Sequence, residues 1–452
     1  MPRRITTLLL ACLPLAASAL EAPPPQVLWE IGAAAQPDRL RADVERLVSF
    51  GTRHTLSQTA SERRGIGAAR RWVAAEFERI SADCGGCLEV FLQRETFSGE
   101  RRIPEPTEVV NVVAILRGTT EPNRFVMMSG DIDSRVSDVM NATEDAPGAN
   151  DNASGMAGVL EAARVLSRYR FRASIAFAGL SGEEQGLFGG RALAAHAQDE
   201  GWDLQGVLNN DMIGNVAGIN GVLDNTSARV FSEGTRYVET EREARIRRFT
   251  GGEVDSPSRN LARHVHALAR YVPNLELRMI YRLDRFGRGG HHRPFNEAGY
   301  PGVRIMETNE HYDRQHQDLR TEDGVTYGDT IDFVDFDYAA KLTGLNAVVL
   351  ASMAWAPAPP AGVEIEGAVR ADTTLSWRPK SAADVAGYTV HWRDTTAPVW
   401  THERFVGDVE TFTLENLVID NYFFGVSARS PEGFESPVVF PGPAGAFWPA
   451  DP

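Results

Sequence analysis

A chain of 452 residues, 43% hydrophobic and 24% charged, has the composition of a globular protein and is long enough for two or three domains. Its formal charge of −15 argues against nucleic acid or an anionic membrane surface as the main partner.

The chain opens with a signal-peptide pattern over 1–22: basic Arg3 and Arg4, a short apolar stretch from Ile5 to Ala16, and Ala17-Ser18-Ala19 as a small-residue cleavage site. The apolar run is too short to span a bilayer, and no later segment is apolar enough. The expectation is therefore an exported protein, periplasmic or secreted, and not an integral membrane protein. LLAC at 9–12 admits a lipoprotein reading through Cys12, but the apolar run continues beyond it. Cys84 and Cys87, in CGGC, suit a small structural disulfide in an exported chain; a metal site there would lack two further ligands.

Helices are expected over 38–50, where Leu40, Val44, Leu47 and Val48 share a face, and over 65–82, where Ala68, Trp72, Phe77 and Ile80 do. Near-continuous apolar strands follow at 109–116, 124–130, 173–180 and 206–211, with a helix at 152–169 between the second and third. Such alternation predicts an α/β fold, a mixed and mostly parallel sheet with helices on both faces. The polar, arginine-rich region 215–290 yields only one helix, 262–272. A strand at 299–306 and a closing helix at 338–355 complete a domain over 23–356. The proline-rich 357–362 reads as a linker. Beyond it, 363–452 alternates polar and apolar residues in short runs, the pattern of a small all-β sandwich.

The predicted strands end in acids. RFVMMSG runs into Asp131 and Asp133, ASIAFAGLSG into Glu183 and Glu184, and GVLNN into Asp211; Asp151 stands before the 152–169 helix. Ligands of open α/β sheets bind beyond the carboxyl ends of the strands, and converging anions are tolerated there with cations between them. Carboxylates alone suit magnesium or calcium. A histidine, for which His316 is the candidate and His311 a competitor, shifts the choice toward zinc or a similar ion.

Asp151 in PGANDNASG, the pair in SGEEQGLFGG, the acid in NNDMIG and the closing QHQD resemble, in order and spacing, metallopeptidase family twenty-eight, the bacterial leucyl aminopeptidase-like, co-catalytic zinc enzymes. The resemblance implies two divalent metal ions, of which zinc is the family's, and peptide substrates. It implies that Asp151 bridges the ions, that Glu184 completes the ligands of one and that Asp211 with His316 completes those of the other. It implies that Glu183 is the general base, taking a proton from the attacking water. His292, in FGRGGHHRPFNEAGYPGV, matches a histidine on the family's substrate side, while His291 stands where an acid is usual. Trp377, Tyr388 and Trp392 give the tail a weaker resemblance to fibronectin type III modules, for which contact with a surface or polymer is a further expectation.

One position departs. The family's first motif is His-x-Asp-Ser, and here Asp131-Ile132-Asp133-Ser134 puts an acid in the ligand's place, with Asp133 retained beside it as an orienting residue. Asp131 could ligate as an aspartate, fall short and leave one metal, or mark an inactive scaffold; ligation is the expectation. The function expected is an exported metal-dependent aminopeptidase. The alternatives are a single-metal glutaminyl cyclase or carboxypeptidase on the same fold, and a non-catalytic binding or adhesion protein.

Overall fold

The computed structural model describes residues 25–380 and 385–443. The signal-peptide expectation, Cys12 included, lies outside the described residues. Among those residues no helix is long and apolar enough to cross a membrane. Three helices lead in: α1 (Gln26–Gly32), α2 (Pro37–Val48) and α3 (Gly65–Asp83). Cys84 and Cys87, just past α3, are joined as a disulfide.

The main sheet has eight strands: β1 (Leu88–Phe97), β2 (Thr107–Leu116), β3 (Glu121–Asp131), β4 (Ala173–Leu180), β5 (Asp203–Asn210), β6 (Ser227–Phe231), β7 (Glu276–Ile280) and β8 (Gly302–Glu307). Their order is β1-β2-β4-β3-β5-β8-β6-β7. The block β4-β3-β5-β8 is parallel throughout, and β6 pairs parallel with β7; the β1–β2, β2–β4 and β6–β8 pairings are antiparallel. The expected mixed, mostly parallel sheet is thus present.

Apolar residues fill both faces of the central strands because each face has its own helical cover. Val126 and Met128 of β3 point into a core built with α4 (Gly155–Leu166), α8 (Pro257–Leu268) and α10 (Phe336–Trp355). Phe125 and Met127, one residue out of phase, point into a second core with α6 (Phe188–Asp199) and α9 (His292–Glu297). The period of two along one strand feeds two cores, so the strand reads as a continuous apolar run.

Three strands escaped the sequence pattern. The outer strand β1 is largely exposed, and β6 and β7 are five-residue strands inside the polar 215–290 region. That region also holds α7 (Glu241–Thr250), a helix without buried residues, started by a capping box between Thr240 and Glu243. A short turn of helix, α5 (Glu183–Gly186), follows β4, and a small hairpin of β9 (Arg320–Glu322) and β10 (Val325–Tyr327) follows β8.

The tail forms two sheets. One contains β11 (Ala361–Glu366), β12 (Thr373–Arg378), β15 (Thr411–Leu414) and β17 (Gly442–Pro443); the other contains β13 (Gly387–Asp394), β14 (His402–Gly407) and β16 (Tyr422–Arg429). Leu375 and Trp377 of the first and Tyr388, Val390 and Phe424 of the second share one core. The sandwich is fastened to the first domain. Arg393 lies 2.7 Å from Asp255, which also binds Arg263 of α8 at 2.7 Å, and Trp355 packs on Phe434 with ring centroids 4.9 Å apart.

Candidate active site

The parallel block aligns the carboxyl ends of β4, β3 and β5 at one edge. Asp131 is the last residue of β3, and Asp211 follows the last residue of β5. Past β4, Gly182 at φ 75° turns the chain so that Glu183 and Glu184 open α5 at that edge. Asp151 comes from the turn before α4, and His316, at φ 54°, from the loop beyond β8.

Three of these residues converge. His316 Nε2 lies 2.9 Å from Asp151 Oδ2 and 3.1 Å from Glu184 Oε1. One donor atom of each lies within 4.8 Å of the others, the spacing a single ion needs. The other such cluster among the described residues, His391 with Glu403 and Glu435, belongs to the sandwich.

Each member is held from outside. The Asp329 carboxylate accepts the backbone N–H of Asn150 at 2.9 Å and of Asp151 at 2.6 Å, and Gln315 donates to Asp151 Oδ2 at 3.0 Å. Asp133 accepts the backbone N–H of Glu183 at 3.3 Å and of Glu184 at 3.1 Å, and the Thr55 hydroxyl at 2.9 Å. It therefore orients the Glu183–Glu184 turn rather than its neighbour Asp131. Arg135 binds Glu184 Oε2 at 2.7 Å, and its Nη2 lies 2.6 Å from His316 Nδ1.

The remaining acids are engaged elsewhere. Asp131 is fully buried, its Oδ1 2.5 Å from His291 Nδ1 and its Oδ2 2.7 Å from the Asn152 amide donor. Asp211 Oδ2 lies 2.8 Å from Arg304 Nη2, while its Oδ1 is buried without a partner. Arg304, on β8 and fully buried, also binds Asp284 at 3.1 Å and the Gly289 carbonyl at 2.8 Å. Burial pushes the Asp131 and Asp211 carboxyls up to about 8 despite the nearby Arg304 charge. Burial, then the charges of Glu184, Asp211 and Asp131, raises half-buried Glu183 well above the carboxylate range. Burial acts the same way on Asp151 and Glu184, but the His316 charge outweighs it and holds both low.

These contacts decide what the donors fit. Asp151, Glu184 and His316 present two oxygens and a nitrogen, a set that suits zinc. Asp131 and Asp211, engaged by His291, Asn152 and Arg304, are not among these clustered donors. Four placements differ from the arrangement that the resemblance implies. His316 groups with Glu184 rather than with Asp211. Asp131 stands outside the cluster, because its oxygens are taken by His291 and Asn152. His292 does not face the substrate side: it is fully buried, with Nε2 2.8 Å from the Leu283 carbonyl. His311 is not among the clustered donors.

Arg135, Arg304, Gln315 and Asp329 were invisible in the sequence as site residues. His291 in an acid's place and Asp131 in a histidine's were visible separately, but only the fold shows that they face each other.

Residues 111–334 match the family model described as Peptidase family M28. A protein of Leptosphaeria maculans called a "probable zinc metalloprotease" is 46% identical over 406 residues, covering 89% of this chain and 94% of the relative. The chain belongs to peptidase family M28. A Pyrenophora teres f. teres protein of the same description is 43% identical, covering 90% of this M28 peptidase and 85% of its own length. In fold, the peptidase is similar to the Legionella pneumophila LapA aminopeptidase, with a TM-score of 0.52 at 17% identity, covering 78% of this chain and 77% of that one.

The clustered donors open into a cleft of about 970 Å³ lined by Asp151, Glu183, Glu184, Asp211 and His316, together with Arg102 and Leu187. Another cleft, of about 850 Å³ between α3 and the β1–β2 pair, holds none of these residues.

Proposed function

We propose that this M28 peptidase is an exported aminopeptidase that removes N-terminal residues from peptides with one zinc ion held by Asp151, Glu184 and His316. The observation that carries the reading is the placement of Glu183: a half-buried carboxylate of raised proton affinity, adjacent in the chain to a ligand and lining the same cleft. A bound zinc supplies Lewis acidity and makes water acidic enough to attack at neutral pH. Glu183 takes the proton of the attacking water and returns it to the leaving amine. Asp133 fixes the direction of Glu183 by holding the backbone N–H at the start of α5. Asp211 lies on the same cleft wall, where an acid would favour a substrate ammonium group.

What supports one ion rather than two is the fixed positive charge that Arg304 sets against Asp211. The one-ion donor set also supports a second reading, a glutaminyl cyclase or carboxypeptidase. The seven tail strands, in sheets of four and three, support a fibronectin type III-like module.

The test pairs elemental analysis with turnover of aminoacyl-nitroanilides. Wild type and Glu183→Gln should each hold one zinc per chain, with activity falling about 10²- to 10⁴-fold in the variant. Undiminished activity would remove Glu183 as the base, and two ions in wild type would end the one-ion reading. Cyclisation of N-terminal glutamine, or release of C-terminal residues only, would favour the second reading.

A further inference from the structure

The cleft above the clustered donors is lined by seven arginines and no lysine, although the whole chain carries a net charge of −15. Four of the seven are taken by acids. Arg135 binds Glu184, Arg285 binds Asp284 and Glu310, Arg288 binds Glu310, and Arg293 binds Glu297. The other three, Arg101, Arg102 and Arg191, have no acidic partner among the described residues. Arg102 donates to the backbone carbonyl of Glu184 at 2.6 Å, which places a guanidinium beside the clustered donors. Arg101 and Arg191 are exposed, and Arg191 lies 5.0 Å from the Phe188 ring, a flat wall that limits its freedom.

The acids of the cleft do not neutralise this rim. Of Glu100, Asp151, Glu183, Glu184 and Asp211, two are the proposed metal donors, Glu183 is the proposed base, Asp211 is compensated from below by Arg304, and exposed Glu100 sets one charge against the three arginines. With a divalent cation at Asp151 and Glu184, the floor is close to neutral and the rim is cationic. Planar guanidinium groups without acid partners are matched to carboxylates, which they bind in two-point fashion.

We infer that the cleft selects peptides that carry a carboxylate close to the scissile bond, with Arg101, Arg102 and Arg191 as the receiving groups. This rests on the peptidase reading of the site. The carboxylate comes either from an Asp or Glu side chain near the N-terminus or from the free C-terminus of a short peptide. Both present the same group to the same arginines.

The test compares Glu- and Asp-nitroanilides with Leu- and Lys-nitroanilides, and short peptides with free and amidated C-termini, on the full chain. At least one carboxylate-bearing set should be preferred about tenfold or more in kcat/KM, through KM, and raising the ionic strength should erode the preference. The Arg101→Glu/Arg191→Glu double variant should lower the acidic-to-neutral ratio about tenfold. Arg404→Glu, an exposed arginine of the sandwich, should leave the ratio where it was. Preference confined to free C-termini, with release of C-terminal residues, keeps the inference and overturns the aminopeptidase reading. If no peptide is cleaved, calorimetric titration with an acidic peptide and its amide-neutralised counterpart decides by the same ratio. Equal handling of acidic and neutral substrates, or a ratio unmoved by the double variant, overturns the inference.

Discussion

Replacing Arg304 by Met removes the fixed charge on which the one-ion reading depends. Arg304 is fully buried and holds Asp211 at 2.8 Å, Asp284 at 3.1 Å and the Gly289 carbonyl at 2.8 Å. Met keeps the apolar stem and leaves two buried carboxylates short of a cation. Breaking a buried pair from one side costs about 3–5 kcal/mol, because the partner charge stays buried. At about 2 °C per kcal/mol in a domain of this size, the metal-free Tm should fall by roughly 6–10 °C. Scanning calorimetry in EDTA measures that loss. A second scan with zinc separates electrostatics from packing: Asp211, freed from Arg304, gains affinity for a cation, so zinc should raise the Tm of the variant more than that of wild type. An unchanged metal-free Tm would show that Arg304 does not hold Asp211 in solution. A lowered Tm with no extra response to zinc would show that Asp211 is not a latent ligand.

Two further outcomes follow from buried groups near the same edge. Burial lowers His292 from 6.5 to about 4, so the unfolded chain takes up the proton first as pH falls, and stability drops between those values. His292→Gln should therefore flatten the urea-midpoint profile, removing about 2 kcal/mol of the loss between about pH 7 and about pH 5; a variant profile parallel to wild type would refute the assignment. Gly130 packs against the start of α4, where an added Cβ would meet Gly155 backbone atoms at 2.6 and 2.7 Å. Gly130→Ala should cost about 1–3 kcal/mol and weaken zinc binding by displacing the turn that carries Asp151. Isothermal titration with zinc checks the second effect, and wild-type affinity would show that the turn is held independently of β3.

The buried strands were legible because parallel strands covered on both faces repeat apolar residues without interruption, as at 109–116, 124–130 and 173–180. The edges were not. The outer strand β1 faces solvent over most of its length, and β6 and β7 are too short and too polar in their surroundings to stand out. Within the site, Asp151, Glu184 and His316 were legible as candidate donors, with Asp151 shared, but the approach of His316 to Glu184 was not. Glu184 and His316 are 132 residues apart, and only the folded loop beyond β8 brings them together.

The sequence by itself determined the sheet, the acids at its carboxyl edge and the family, since each depends on local composition or on motifs in order. The tertiary structure decided which charges face one another. Arg304 reaches Asp211 across 93 residues and His291 reaches Asp131 across 160. Burial makes those pairings matter: at a dry sheet edge each carboxylate needs a partner, and the fold brings Arg304 to Asp211 and His291 to Asp131.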